Sequence, residues 1–461
     1  MQTSLHPVSD VALSSPVAPA FNQRAVMAWV AACALPAMAL FSVGRASLAG
    51  YCFWAVLGLA LVVLAARGRG DELLCLALAV MPVINLLRDY AFYNVIIVML
   101  VVIFLYWLVV DRATLGRIWG SYPLAWVLVA WTVVYYVFSF LFTGQYSRNL
   151  RLLELSLTVL GMLLIGRQRR MLLTMLAGFC LAAVLVSLAF LAQAPAATAG
   201  RLGMLVVEDR SLGNPVQLGM PLALSWLVLV VDRGQWSLWG RTKIWRWVLA
   251  AIVFVALALT TSRVSWAVAV IGVLVSFLAG SRQRWQILTV GLVVAAGIQL
   301  LLLSPYGEGF ERGLTRTFSS SRSMANRTSG RSDQWQVSYR AVMESPGAMV
   351  YGHGPGLGPE VYARVSAETP DVRYAVGERV ALHSLFMQVV VESGLVGLGL
   401  VVIWLIVAGV NVVRWTRREK MIFPLVCFVG YGLVVVTVSG NDTTSAMFLG
   451  LGLLTSSRRQ P

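Results

Sequence analysis

Long apolar stretches follow one another through most of the chain, and they constrain its fold more than any other feature. Many of them run for about 17–25 residues, which is the length that an α-helix needs to cross the apolar part of a bilayer. We therefore expect an all-α polytopic membrane protein with about 12 to 14 transmembrane helices. One apolar stretch, 73–87, is short and contains Pro82 and Asn85. These residues favour a broken or re-entrant element over a full crossing.

The composition excludes a soluble domain, because hydrophobic residues make up 59% of the chain and charged residues only 12%. The formal net charge of +16 would suggest nucleic-acid binding in a soluble protein. Here most Lys and Arg residues lie in short loops, where they set the orientation of the helices, and no nucleic-acid partner is expected. The five cysteines lie in apolar stretches without CxxC spacing, so neither a disulfide framework nor a zinc site is indicated.

The short basic loops alternate regularly along the chain, which predicts a cytoplasmic location for both termini. The tail 1–24 is expected to be disordered, and transmembrane helices occupy 25–303 and 384–461. The same alternation places a small loop, 196–214, and a large polar loop, 304–383, on the outer side. In a Gram-negative cell this means an inner-membrane protein whose two functional loops face the periplasm.

Arg263 is the most informative of the outer arginines, since it sits between two apolar helices with almost no loop. A guanidinium there costs several kcal/mol unless it is paired or hydrated. One interpretation is that the side chain extends to the lipid headgroups. The other is a phosphate clamp, because a guanidinium binds two phosphate oxygens at once and stays charged at any relevant pH.

The small loop 196–214 carries Arg201 and Arg210, and a helix is predicted to begin at Pro215 with Asn214 as its N-cap. The free N–H groups of that helix end and the two arginines together could form an anion site. An ordinary capped helix beside a solvated charged loop is the alternative.

In the large loop, Arg331, Trp335 and Tyr339 follow one another at near-helical spacing. This pattern predicts an amphipathic helix along the membrane surface. Its two aromatic side chains and Arg331 are possible contacts to the acceptor sugar, or the aromatic rings could simply anchor the helix at the interface.

His383 ends the large loop, one residue before an apolar helix that carries Glu392, Gly394 and Gly397. An imidazole at this position could accept a proton from a sugar hydroxyl. A solvated histidine at a helix end is the alternative interpretation. We interpret the large loop and this helix as the reaction chamber of a membrane enzyme.

Three sequence signatures resemble those of the O-antigen ligase/polymerase superfamily of bacterial membrane glycosyltransferases. They are Thr261-Ser262-Arg263 with Trp266 at a helix start, the Trp335…Pro346…Gly352-x-Gly354-x-Gly356 run, and His383-Ser384 followed by Glu392-x-Gly394-x-x-Gly397. The order and spacing agree over about 200–397. Ser384 departs from the family, which more often has Asn after the histidine.

The resemblance implies a GT-C-like architecture and a metal-independent enzyme that takes a glycan from undecaprenyl diphosphate. It also implies that His383 activates the acceptor hydroxyl, on lipid A-core or on a growing glycan. Arg263 and the arginines of the small loop, Arg201 or Arg210, would then hold the diphosphate. The outer loops contain no compact Asp/Glu cluster for Mg²⁺ or Mn²⁺, so fixed arginines are the expected source of positive charge.

Three functions follow from these predictions. The first is a ligase that moves a finished O-antigen to lipid A-core. The second is a polymerase that extends an O-antigen or an exopolysaccharide, which needs the same donor site. The third is a transporter of lipid-linked sugars, which the chain favours less because it shows no internal repeat and carries its unusual charges near the outer face.

Overall fold

The structure is a computed structural model of the chain. The described residues are 21–87, 95–110, 121–143, 151–193, 206–207, 210–211, 215–231, 243–260, 262–279, 298–299, 303, 331–370, 372–380, 382, 384–419, 422–437 and 443–454.

Within these ranges the protein consists of helices and one short hairpin. The helices of the first part are α1 (Gln23–Ser42), α2 (Ala46–Ala66), α3 (Gly70–Ala79), α4 (Met81–Leu87), α5 (Val95–Val110), α6 (Pro123–Thr143), α7 (Arg151–Gly166), α8 (Arg169–Gln193), α9 (Pro215–Val231), α10 (Lys243–Leu259) and α11 (Arg263–Ala279). The remaining helices are α12 (Arg331–Met343), α13 (Pro346–Tyr351), α14 (Gly358–Glu368), α15 (Leu385–Glu419), α16 (Phe423–Thr437) and α17 (Thr443–Leu453). The hairpin pairs β1 (Val206–Val207) with β2 (Arg210–Ser211) in antiparallel register.

The predicted fold class is confirmed: this is an all-α polytopic membrane protein. In the described part of the chain, α1, α2, α8 and α15 are long and apolar enough to cross a bilayer. Helices α3 and α4 are bent by 48° and could form one further span. The bend lies in the stretch where Pro82 and Asn85 predicted a break. Shorter apolar helices, among them α7, α9 and α10, pack against α8.

The N-terminal boundary differs slightly from the prediction. Helix α1 begins at Gln23, inside the predicted tail 1–24, because the Asn22 side chain accepts a hydrogen bond from the Ala25 N–H at 3.1 Å and caps the helix. Residues 1–20 lie outside the described residues.

Three helices share one end of the bundle, which we call the site end. Helices α9 and α11 run parallel, because Gly219 packs on Ser265 and Leu227 packs on Gly272. Both helices therefore begin at the site end. Helix α16 runs antiparallel to α11, since Gly430 packs on Val268 and Val426 packs on Gly272, and so it finishes there.

The described part of the large polar loop, 331–382, is folded. Helices α12, α13 and α14 bury a small apolar core that is separate from the main core of the bundle. Val337, Tyr362 and Val365 belong to this small core, and Met387 and Val391 of α15 complete it. The sequence predicted one helix in this loop, whereas the described part of the loop has three.

Helix α15 is broken at Gly394, where the backbone takes the left-handed values φ 62° and ψ −162°. A glycine adopts such values at little cost. The break divides α15 into a first half, 385–393, which contacts the 331–382 region, and a second half, 395–419, with many exposed apolar side chains. The sequence predicted a single uninterrupted apolar stretch at 384–413.

Candidate active site

The turn that carries Arg263 is built by side-chain hydrogen bonds. The Thr260 hydroxyl accepts from the Ser262 N–H at 3.3 Å, and the Ser262 hydroxyl lies 2.8 Å from that of Ser265. Trp266 donates from Nε1 to the Leu257 carbonyl at 3.0 Å, which joins α10 to α11. Arg263 is therefore the first residue of a helix whose start is fixed, and its side chain is half-buried at the site end.

Arg331 comes from a distant part of the chain but lies near Arg263. It is the first residue of α12. Burial lowers the pKa of the Arg331 guanidinium, and the positive charge of Arg263 lowers that pKa further. The Nε atom of Arg331 is buried and has no hydrogen-bond partner among the described residues. Two neighbouring guanidiniums repel each other, so this arrangement favours a bound anion.

The start of α15 lies at the same end of the bundle. The Ser384 hydroxyl donates to the carbonyl of Val435, near the end of α16, at 3.4 Å. Ser384 also accepts from the Gln388 N–H at 3.0 Å, which forms the first turn of α15. His383 itself lies outside the described residues, so its part in the chemistry stays a prediction. Both of its neighbours, Leu382 and Ser384, are buried.

Of the two predicted loop arginines, one lies among the described residues. Arg201 lies outside the described residues. Arg210 is placed by its backbone, which pairs with Val207 in the hairpin. The hairpin ends four residues before α9 begins at Pro215, and α9 begins at the site end. The role of either arginine in binding the diphosphate stays a prediction.

Glu392, for which the sequence predicted no role in the chemistry, is buried among hydrogen-bond donors. Its side chain is 2% exposed, and Oε1 accepts from the Gly358 N–H at 3.2 Å. The carboxylate also accepts from the Gly356 N–H and from the side chains of Tyr135 and Gln388. These donors come from the turn before α14, from α6 and from α15.

The glycine-rich turn at 352–356 binds the break in α15. The His353 N–H donates to the Val391 carbonyl at 2.8 Å, and the Gly354 N–H donates to the Glu392 carbonyl at 3.0 Å. Gly352, Gly354 and Gly356 all have positive φ values, of 74°, 111° and 82°. The break at Gly394 leaves these two carbonyl groups without helical N–H donors, and the turn supplies donors in their place.

His353 has a structural role. Its Nε2 lies 2.9 Å from the Ala341 carbonyl and therefore donates to it. Nearby, Glu344 accepts two hydrogen bonds from Arg364, at 2.7 and 2.8 Å. The pKa of the Glu344 carboxyl is lowered by those hydrogen bonds. These contacts hold the end of α12 against the turn and against α14.

Asp333 ties two parts of the 331–382 region together. This buried carboxylate accepts from the N–H groups of Arg373 and Tyr374, at 2.9 and 3.1 Å, and from the Ser332 hydroxyl at 3.1 Å. It therefore ties the irregular segment after α14 to the first turn of α12, beside Arg331.

Trp335 and Tyr339 lie on the helix that the sequence predicted, here α12. Their side chains are 48% and 64% exposed, and they share one face of the helix with Met343. The opposite face, with Val337 and Ala341, belongs to the small core. Both exposed rings could contact a sugar or a lipid headgroup, so that prediction stays open to test.

In the described ranges no group of three or more His, Cys, Asp or Glu side chains is placed to hold a metal ion. The independence of the reaction from metal ions stays a prediction.

The structure thus brings Arg263 and Arg331 together and puts the start of α15 at the same end of the bundle. The sequence analysis proposed Arg331 as a possible acceptor contact and missed its closeness to Arg263, which depends on tertiary structure. It named Glu392 only as part of a signature. The run of glycines around 352–358 indicated a tight backbone turn, whose N–H groups need acceptors on another segment.

A comparison with known families matches residues 248–402 to a family model described as O-antigen ligase. The match begins in α10 and ends in the second half of α15. It includes Arg263, Arg331 and Glu392, as well as position 383. No curated protein matches the chain. The part of the chain that holds the candidate site is therefore similar to the O-antigen ligase family.

Proposed function

We propose that the protein is an O-antigen ligase, a membrane glycosyltransferase of GT-C-like architecture. It transfers a glycan en bloc from undecaprenyl diphosphate to a sugar hydroxyl of lipid A-core, at the periplasmic face of the bacterial inner membrane. The observation that carries the proposal is that Arg331 lies close enough to Arg263, inside the matched domain, for their positive charges to interact. Two permanently charged side chains at the site end suit a diphosphate, which bears several negative charges.

In the proposed reaction, His383 accepts the proton of the acceptor hydroxyl. The hydroxyl oxygen forms a bond to the anomeric carbon, while the bond from that carbon to the diphosphate oxygen breaks. The electron pair leaves with undecaprenyl diphosphate, whose growing charge Arg263 and Arg331 stabilise. Arg201 or Arg210 adds to this stabilisation. A single displacement inverts the anomeric configuration, and a product with retained configuration would refute this step.

Positive charge from arginines removes the need for a metal ion in this mechanism. The direct test is reconstitution of the purified protein with an undecaprenyl-diphosphate-linked glycan and lipid A-core, with a chelator present. Transfer in the presence of the chelator supports the proposal. Transfer that requires an added divalent ion would overturn the metal-independent mechanism, and absence of transfer under both conditions would count against the ligase reaction itself.

The same site could serve a polymerase, and the glycans of a deletion strain separate the two functions. Loss of a ligase leaves polymer attached to undecaprenyl diphosphate. Loss of a polymerase leaves single repeat units. A transporter would be indicated if the purified protein moved lipid-linked sugars between leaflets and formed no new glycosidic bond.

A further inference from the structure

We propose that Glu392 is a positioning residue for glycan transfer. Its carboxylate holds the first half of α15, which follows His383 directly, in one fixed place at the site end. This inference rests on the proposed function, because it gives Glu392 a part in that reaction.

The burial of Glu392 is the first argument. A buried carboxylate is costly unless hydrogen bonds compensate for the lost water. Four donors surround this one: the N–H groups of Gly356 and Gly358, and the side chains of Tyr135 and Gln388. A well-packed apolar side chain at such a position would often stabilise a protein as well or better. The hydrogen-bonded carboxylate therefore indicates that this position serves to fix the first half of α15 in place.

The second argument is that these donors belong to separate parts of the molecule. Gly356 and Gly358 lie in the 331–382 region, whereas Tyr135 lies on α6 in the apolar bundle. The Gln388 side chain also donates to the Tyr135 hydroxyl at 3.4 Å. One side chain of α15 thus links the 331–382 region to a helix of the bundle.

The third argument comes from the break at Gly394. An unbroken helix would hold its first half through the stiffness of the half that crosses the membrane. In α15 the left-handed backbone at Gly394 interrupts the helix, so the first half must be held by its own contacts. Glu392 lies two residues before the break, and its side chain supplies several of those contacts.

The fourth argument is the path from Glu392 to the reaction. Glu392 and Ser384 are separated by about two helical turns, or roughly 12 Å along the axis. The Ser384 hydroxyl is bonded to Val435 at the site end. A displacement at Glu392 would therefore move the start of α15 relative to Arg263. A misplacement of about 1 Å can reduce a reaction rate by roughly 100-fold.

The test replaces Glu392 by Gln in the full-length protein, reconstituted with an undecaprenyl-diphosphate-linked glycan and lipid A-core. The amide group would direct hydrogens toward groups that are themselves donors. We expect kcat to fall by about 10- to 100-fold, while KM for the lipid-linked glycan stays within about twofold because Arg263 and Arg331 are unchanged. Hydrogen exchange should become faster in 352–358 and 384–393.

Glu360→Gln is the matched control. Glu360 lies in the first turn of α14 and pairs with the exposed Arg379 side chain at 3.7 Å, and its own side chain is 42% exposed. This variant should keep the kcat and the exchange rates of the wild type. If Glu392→Gln does not fold, Tyr135→Phe provides the second test, since it removes one donor and keeps the carboxylate. A smaller fall in kcat is expected there.

Several outcomes would overturn the inference. The first is an unchanged kcat in Glu392→Gln. The second is a rise in KM that accounts for the whole loss of activity in Glu392→Gln. If Glu392→Gln does not fold, the third is a wild-type kcat in Tyr135→Phe. A wild-type protein without transfer activity, combined with faster exchange in Glu392→Gln, would count against the proposed function and leave the hydrogen-bonding part of Glu392 supported.

Discussion

The backbones of Gly352 and Gly394 lie directly against each other. A Cβ atom at Gly352 would clash with the backbone from Glu392 to Gly394, and one at Gly394 would clash with the backbone of Val350 and Tyr351. Both glycines also have positive φ values, of 74° and 62°. The turn and the break in α15 therefore fit together only without side chains at these two positions.

Gly394→Ala should destabilise the protein by about 3 kcal/mol, since it adds a left-handed alanine and a backbone clash. A lower midpoint of thermal unfolding in detergent would show this effect. Gly399→Ala is the control, because a Cβ at this other glycine of α15 meets nothing within 4 Å. Equal midpoints for the two variants would contradict the described contact.

Arg263→Lys should lower kcat by at least about 10-fold, although the positive charge is kept. An ammonium group cannot bind two phosphate oxygens in the manner of a guanidinium, and loss of one stabilising donor typically costs a factor of about 100 to 1,000. Initial rates with the lipid-linked glycan would measure the effect. Activity at the wild-type level would remove Arg263 from the proposed clamp.

Arg331→Ala should weaken the binding of undecaprenyl diphosphate by about 10- to 100-fold, because a hydrogen bond to a charged group contributes about 1.5–3 kcal/mol. Titration of the reconstituted protein with undecaprenyl diphosphate would measure the change. Arg340→Ala, on the exposed surface of the same helix, is the control and should bind as the wild type does. If both variants bind undecaprenyl diphosphate alike, Arg331 does not contribute to donor binding.

His383→Ala should reduce transfer by about 100- to 10,000-fold, the usual contribution of a general base, with little change in thermal stability. His353→Ala should have the opposite profile. Its ring is bonded to the Ala341 carbonyl at 2.9 Å, so its loss should lower the unfolding midpoint and leave much of the activity. Full activity in His383→Ala would exclude this imidazole from the chemistry.

Asp333→Ala should loosen the segment after α14, because two N–H groups, those of Arg373 and Tyr374, lose their acceptor. Each unsatisfied buried donor costs about 1–3 kcal/mol. Hydrogen exchange at 372–380 should become faster, whereas Glu378→Ala, an exposed change in the same segment, should leave it unaltered. Unaltered exchange in both variants would show that Asp333 is not a tether.

The membrane fold could be predicted from the sequence because its cause is local. Each apolar stretch is long enough to satisfy its backbone within one helix. The break between α3 and α4 could be predicted for the same reason, since Pro82 lies inside the stretch that bends. Helix α12 was indicated by the spacing of Arg331, Trp335 and Tyr339.

The site could be predicted only in part, because its contacts join residues far apart in the chain. Arg263 stood out through its position between two apolar helices, but nothing near it in sequence indicated Arg331. The partner of the glycine-rich turn was equally hidden, since Gly358 and Glu392 are 34 residues apart. The kink at Gly394 could not be distinguished from an ordinary helical glycine until the backbone of Val350 was placed beside it.

The small core shared by the 331–382 region and α15 has a consequence for biogenesis. Met387 and Val391 complete that core, yet they are synthesised after the helices that they cover. The 331–382 region therefore leaves the ribosome with part of its apolar surface uncovered, and it reaches its final state only when α15 arrives. Expressed alone as a fragment, this region should aggregate or remain unfolded, whereas extension to residue 393 should restore a protease-resistant unit.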